Sequence, residues 1–287
     1  MIAATTTPYT LNLGGRLLPL DRPRVMGILN ATPDSFYDAS RCGSEAEAIA
    51  RRARAIIEEG GDIIDIGAYS SRPGADDVSP EEEWQRLNRA LDTIRSLYPE
   101  SILSVDTFRA DIARRCVEQY GVQIINDISG GDLDPEMFDT VADLHTAYIL
   151  MHMKGTPQTM QEAPRYNHLM ADVTDYFARR IDRLHRLGVS DIVVDPGFGL
   201  GFGKTLDDNY RLLRRLDELR PLGKPLLVGV SRKSMIYRLL GTTPAESLTG
   251  TTALHTLALI NGASILRVHD VREAVETTKI VSKTLSV

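Results

Sequence analysis

Cysteine is almost missing from this chain: Cys42 and Cys116 are its only two. Two thiols without metal-type spacing exclude a disulfide framework and suit a reducing compartment. Cys116 falls in the helical stretch ADIARRCVEQYG, where a small buried apolar side chain is the expected role, not a nucleophile. An excess of positive charge is missing too. The 33 Lys and Arg are outnumbered by 39 Asp and Glu, for a formal charge of −6 and a pI near 5.6. That balance argues against nucleic acid or an anionic membrane as the main partner, so basic character must gather locally, where an anion binds. No run of about 18 apolar residues occurs and no signal-peptide pattern opens the chain. The cytoplasm, with no membrane association, is therefore expected. Low-complexity linkers are lacking as well, and 287 residues are long enough to bury a large core without staples.

What is present is a rhythm. Eight short apolar runs recur, each followed by a helical pattern: RVMGILN (24–30), DIIDIGA (62–68), SILSVDT (101–107), VQIINDI (122–128), AYILMHM (147–153), DIVVDPG (191–197), PLLVGVS (225–231) and SILRVHD (264–270). Most are dense in Ile, Leu and Val, as expected for parallel strands buried on both faces. Ser44 and Ser79 read as helix N-caps ahead of early glutamates, and Gly60 and Gly121 stand where helices should stop. Eight strand–helix repeats in roughly 260 residues favour a single TIM (β/α)8 barrel over an open doubly wound sheet. The text before them reads as a short Gly-Gly β-hairpin. The expected division is a hairpin segment over 1–23 and one barrel domain over 24–287.

In such barrels the chemistry sits at the C-terminal ends of the strands. Here those ends are polar: Asn30, Asp65 with the loop Tyr69-Ser70-Ser71-Arg72, Asp106, Asn126-Asp127, His152, Asp195, Ser231-Arg232-Lys233 and Arg267-Val268-His269. One such end could merely cap the next helix. A polar group on nearly every strand predicts an active site at the barrel mouth, because buried polar groups must be paired or they destabilise the fold. Two subsites follow. Asn30, Arg72, Arg267 and His269 come from the first, second and eighth strands, neighbours in a closed barrel. They suit a pyrophosphate and its Mg²⁺, since Arg matches phosphate oxygens bidentately. Asp106, Asn126, Asp195 and Lys233 suit a flat nitrogen heterocycle presenting N–H donors. The plainer alternative for the last two is a structural Asp–Lys pair bracing strands six and seven. The glycine-rich 197-GFGLGFGKT-205 does not fit a phosphate-binding P-loop, because Phe198 stands where its first glycine is required. A flexible loop after strand six is the better account.

These residues lie in blocks that together resemble the dihydropteroate synthase family. The blocks are 27-GILNATPDSF-36, 70-SSRPG-74, 104-SVDT-107, 125-INDIS-129, 150-LMHMKGTPQTMQ-161, 195-DPG-197, 201-GFGKT-205, 231-SRKS-234 and 267-RVHD-270, in the family's order from about residue 24 to 280. The resemblance implies that Asn30 ligates Mg²⁺ together with the substrate pyrophosphate, which Arg72, Arg267 and His269 bind. It implies that Asp106, Asn126, Asp195 and Lys233 hold the pterin, with Met151, Phe202 and Gly229 lining the pocket. Ser71, Arg72, Pro73 and Ser234 would build the p-aminobenzoate site, and Asp34 would order the first loop. Asp106, Asp195, Lys233, Arg267 and His269 are the implied catalytic set. Sulfonamides are the implied inhibitors and a homodimer through late outer helices the implied assembly.

The chain departs from the family pattern twice. Its second loop reads Tyr69-Ser70-Ser71-Arg72-Pro73-Gly74, against Glu-Ser-Thr-Arg-Pro-Gly. After strand six it carries two extra residues, most simply Phe198-Gly199, so Phe198 could replace Phe202 as a wall of the aminobenzoate pocket. An extra aromatic there is expected to narrow the pocket and disfavour bulkier sulfonamides. Three rivals are weighed: a methyltransferase acting on methyltetrahydrofolate, a Schiff-base aldolase using Lys233, and a silent paralogue that only binds pterin. The SRKS, Arg-Pro-Gly and RVHD blocks favour displacement of pyrophosphate over methyl transfer, which has no anionic leaving group; no borohydride-trapped adduct is expected of Lys233, and a competent residue at every matched catalytic position argues against a silent paralogue.

Overall fold

A computed structural model describes residues 9–32, 44–69, 78–155 and 166–287. The hairpin is as expected. Strands β1 (Thr10–Leu13) and β2 (Arg16–Pro19) pair antiparallel about Gly14 and Gly15. Both glycines have positive φ, which a tight two-residue hairpin turn requires.

Eight parallel strands then close on themselves: β3 (Arg24–Asn30), β4 (Ile63–Gly67), β5 (Leu103–Asp106), β6 (Ile124–Asp127), β7 (Ala147–Met151), β8 (Ile192–Asp195), β9 (Leu226–Val228) and β10 (Ala263–Val268), with β10 against β3. Each lies within its expected run, save that β10 begins one residue earlier. Alternation sorts their side chains into two cores. Outward residues such as Leu29, Ile66, Val105 and Leu150 join the apolar faces of the surrounding helices. Inward residues Met26, Ile63, Ile124, Ile149, Val193, Leu227 and Ile265 fill the lower barrel and meet Leu11, Leu13, Leu18 and Leu20 of the hairpin segment. The hairpin thus plugs the bottom of the barrel, and Asn12 N–H fastens it to Asp191 at 2.7 Å. The C-terminal mouth is left for polar groups.

The helices are α1 (Glu45–Glu58), α2 (Pro80–Leu97), α3 (Ala110–Tyr120), α4 (Met137–Asp143), α5 (Leu169–Arg186), α6 (Leu206–Arg214), α7 (Ser234–Leu240), α8 (Leu248–Ile260) and α9 (Val271–Leu285). Ser44 and Glu47 form a capping box on α1, and Ser79 accepts from Glu82 N–H at the start of α2. Each such cap contributes about 1 kcal/mol. Gly121 ends α3 in the left-handed conformation, as its position in the sequence requires. Cys116 is fully buried among apolar neighbours, and burial raises its thiol pKa, so it has no nucleophilic character. Cys42 lies outside the described residues.

Strand β9 departs from expectation. The run 225–231 predicts a full strand, yet only three residues pair, with a register shift against β10 and a single register pair against β8. From Gly229 onward the chain leaves the ladder and is held by side chains instead.

Candidate active site

The last inward residues of the strands converge on the mouth. Asn30, Gly67, Asp106 and Asn126 are successive register partners across β3 to β6, and Met151 and Asp195 are partners on β7 and β8. Arg267 on β10 ties this ring together. Its Nε donates to Asp65 Oδ2 at 2.6 Å, and its Nη2 donates to Asp106 Oδ2 at 2.8 Å. Asp65 is fully buried and also accepts from Asn126 Nδ2 at 3.2 Å. The strand ends read in sequence place Arg267 and the carboxylates in two subsites. The structure joins them through direct ion pairs.

Two glycines keep the middle open. A Cβ at Gly67 would stand 3.8 Å from Asn30 Oδ1 and 3.9 Å from Asp106 Oδ2, so both oxygens border the same bare patch. A Cβ at Gly229 would stand 3.8 Å from both Lys233 Nζ and Arg267 Cβ. Asn30, Asp106, Arg267 and Lys233 therefore share one mouth. Lys233 Nζ donates to the Phe198 carbonyl at 2.5 Å and lies 4.8 Å from the centre of the Phe202 ring. It is not ion-paired to Asp195 among the described residues, so the plain brace between strands six and seven is not what Lys233 forms. Asp195 accepts from Gly197 N–H at 2.8 Å. Phe202 packs on an apolar wall of Ile128, Met151 and Met153.

Burial sets the charges. It lifts Asp106 to about 7 against the pull of the Arg267 guanidinium, although a fifth of the side chain is open to the mouth. It also raises Asp195, opposed by Lys233. It lowers Lys233 to about 8 against the attraction of Asp195. Burial disfavours the charge on Arg267 as well, but Asp65 and Asp106 outweigh it and hold the guanidinium above its ordinary value. His269 is pushed down to about 4 by burial and by Arg267, so it is neutral at pH 7. Its Nδ1 and its backbone N–H both lie 3.1 Å from Ser231 Oγ.

Several expected site residues stand elsewhere or lie outside the described residues. Phe198 was expected at the aminobenzoate pocket. Its side chain is instead wholly buried in the layer between strands and helices, and only its carbonyl oxygen faces Lys233. Phe202 is the aromatic that stands at the mouth. Asp34, Ser71, Arg72 and Pro73 lie outside the described residues, whereas Ser234 begins α7 directly after Lys233. Tyr69, for which the sequence offered no account, packs edge-on against Phe108 at 5.2 Å, with the Arg109 guanidinium 5.6 Å from its ring.

Two residues were missed. Asp65 was noted only as a strand end, yet it is the buried hub. Its place in phase with Ile63 and Gly67 along β4 is the signal that could have found it. Lys204 was read as loop. Its Nζ is buried, 2.9 Å from His152 Nδ1, and it donates to the His152 and Phe202 carbonyls at 3.3 and 3.4 Å. Burial brings it down to about 7, against Asp195. It fixes the loop on which Phe202 stands.

A barrel with a cation held between carboxylates at its mouth, above an apolar wall, is built to hold a flat polar ring beside an anion. Residues 26–269 match the family described as pterin binding enzymes. The dihydropteroate synthase of Escherichia coli K12 is 44% identical over 274 residues, 95% of each chain. Among solved structures, the dihydropteroate synthase of Xanthomonas albilineans with 4-aminobenzoic acid superposes with a TM-score of 0.89 at 39% identity, over 98% of this chain and 100% of the other. That of Yersinia pestis with a sulfonamide drug gives 0.86 at 40% identity, over 97% and 100%. The chain belongs to the pterin-binding enzyme family, among its dihydropteroate synthases.

Proposed function

We propose that this chain condenses 6-hydroxymethyl-7,8-dihydropterin pyrophosphate with p-aminobenzoate, giving 7,8-dihydropteroate and pyrophosphate for folate biosynthesis. The observation that carries the reading is the Asp65–Arg267–Asp106 network standing beside Lys233. Asp106, Asn126 and Asp195 accept from or donate to the edge of the pterin, Lys233 donates to it, and Gly229 leaves room for the ring. Met151 and Phe202 line its apolar side. The methylene carbon loses pyrophosphate as its C–O bond breaks, and the carboxylates of Asp106 and Asp195 favour the cationic character that develops there. The aryl nitrogen of p-aminobenzoate then forms the C–N bond and releases one proton. No strong base is needed, because the aryl amine is nucleophilic at neutral pH.

Arg267, His269 and Arg72 receive the departing pyrophosphate. A Ser231 hydroxyl that accepts from His269 N–H can donate its own proton to Nδ1. That leaves Nε2–H as the donor to a phosphate oxygen. Asn30 would contribute its amide oxygen to Mg²⁺. Among the described residues no group of three acidic, His or Cys side chains could hold a metal alone. One amide fits a Mg²⁺ that is bound largely through substrate phosphates. When bound, the ion would neutralise charge on the leaving pyrophosphate.

Ser71, Arg72, Pro73 and Ser234 are assigned to p-aminobenzoate, and Asp34 to ordering of the first loop, on the family resemblance. The relative of Yersinia pestis was solved with a sulfonamide, which supports sulfonamides as inhibitors here. Any effect of the two-residue extension on them runs through Phe202 rather than Phe198. We read residues 24–287 as the pterin-binding unit and the protein as cytoplasmic; among the described residues no helix is long and apolar enough to cross a membrane. A homodimer through the late helices is supported by Leu239, Leu240, Leu257 and Ile280, all exposed on α7, α8 and α9. Light scattering that gives one chain's mass would refute it.

The test of the reaction is pyrophosphate release that requires both p-aminobenzoate and Mg²⁺. Release without p-aminobenzoate, or none with all three present, overturns the assignment.

A further inference from the structure

The short β9 leaves Ser231, Arg232, Lys233 and Ser234 beyond the reach of strand pairing. Something else must hold Lys233 where the proposed pterin site needs it. Arg232 supplies that support. Its Nε and Nη2 bind the two oxygens of Asp270 side-on at 2.8 Å each, while Nη1 donates to the Pro244 and Ala245 carbonyls at 2.8 and 2.6 Å. Its backbone N–H donates to Thr251 Oγ1 at 3.1 Å. Arg232 has φ of 54°, a left-handed conformation that a non-glycine residue keeps only when its surroundings enforce it.

The partner carboxylate is the residue after His269. His269 itself is held on both sides of its main chain: its N–H donates to Ser231 Oγ at 3.1 Å, and its carbonyl accepts from Arg52 Nη2 at 2.7 Å. The same Arg52 donates through Nε to the Ile28 carbonyl on β3. Ser231-Arg232 and His269-Asp270 thus form two adjacent rungs across the β9–β10 seam. The first rung holds His269 itself, and the second lies next in sequence to both Lys233 and His269.

We propose that Arg232 and Asp270 are positioning residues that lock Lys233 and His269 at a fixed spacing, so that pterin and pyrophosphate groups are held as one geometry. Arg232 is not an anion ligand despite its place in the SRKS block. Four of its five N–H donors are already taken, so it could grip an anion bidentately only by breaking this clamp. The inference rests on the proposed synthase reaction for its activity readout, and a second readout stands apart from it.

The experiment compares Arg232→Met, Arg232→Lys, Asp270→Asn and the Met/Asn double variant with the parent chain, each assayed well below its own melting temperature. Expected is a loss of about 100-fold in kcat/KM for the pterin pyrophosphate in Arg232→Met, the scale of an ångström-sized misplacement. Arg232→Lys should recover part of it, and the double variant should be no worse than the poorer single, because the two residues act as one unit. In parallel, hydrogen exchange should show residues 229–236 and 266–272 losing protection together in both single variants. Activity within threefold of the parent in folded variants, or fully additive losses, overturns the proposal. So does protection lost only in the mutated segment. A parent chain with no synthase turnover would sink the reaction, while the exchange data would still decide the clamp; Asp270→Asn serves should Arg232→Met fail to fold.

Discussion

Replacing Asp65 with Asn tests the centre of the site without changing its shape. The Asp65 carboxylate is fully buried and accepts from Arg267 Nε at 2.6 Å and from Asn126 Nδ2 at 3.2 Å. Both bonds go to Oδ2, so an amide oxygen there keeps them, but the NH₂ that replaces Oδ1 stands 3.4 Å from Asn126 Nδ2, donor against donor, and the charge is gone. Breaking a buried pair by taking away one partner costs about 3–5 kcal/mol. Arg267 still keeps Asp106, and its side chain is 18% exposed at the mouth, so the lower end of that range applies, about 3 kcal/mol. Spread over 287 residues, an unfolding entropy of about 2.1 cal/mol/K per residue converts this to a melting-temperature drop of about 5 °C.

Activity should fall further than stability. With one of its two charged anchors gone, Arg267 can turn about its remaining bond to Asp106, and kcat/KM for the pterin pyrophosphate should drop about 100-fold. The pH profile supplies an independent sign. The Asp65 charge pushes the Asp106 pKa upward, so its removal lets Asp106 ionise at lower pH and moves the acid limb of kcat/KM below its parent position. Calorimetry and steady-state kinetics on one preparation decide the matter. A melt within 1 °C of the parent together with kcat/KM within twofold would refute the hub.

Asp106 is pushed up to about 7 and Lys233 down to about 8, and the reaction needs the first deprotonated and the second protonated. The kcat/KM profile of the free enzyme should therefore be a narrow bell with limbs near those values, and Asp106→Asn should remove the acid limb from what activity remains. Phe198→Ala should lower stability by about 3–5 kcal/mol, as for a fully buried core aromatic, with little change in KM for p-aminobenzoate. Phe202→Ala should do the reverse, and denaturant melts beside kinetics will separate the two. Gly197→Ala places a Cβ 2.0 Å from the His152 carbonyl at φ of +72°, so it should cost about 3 kcal/mol or more and displace Asp195, read as a lower melt with weaker pterin binding.

The barrel was legible because its signals are local. Runs of Ile, Leu and Val at strand length, serine caps ahead of glutamates and the paired glycines of the hairpin each act within a few residues. The ring of polar strand ends was legible for the same reason, since each is one residue read at one position. What the sequence hides is which ring members touch. Arg267 and Asp65 are 202 residues apart and meet only because β10 closes against β3, the neighbour of β4. Phe198 and Phe202 stand four residues apart in repetitive Phe-Gly text. The text cannot say which ring enters the core, because that depends on where the chain turns after Asp195 and on which space the helix layer leaves open.

The two arginines near the mouth show why residue type alone underdetermines a role. Arg267 spends two donors, Nε and one on Nη2, on Asp65 and Asp106, and these fix the plane of its guanidinium. Three N–H groups remain for an incoming anion, already oriented before it arrives. Arg232 spends four on Asp270 and two carbonyls and has almost nothing left to offer. Both sit in motifs that point to phosphate, and charge counting makes them equal. Counting donors separates them: the half-satisfied guanidinium is poised to bind, and the satisfied one is structure.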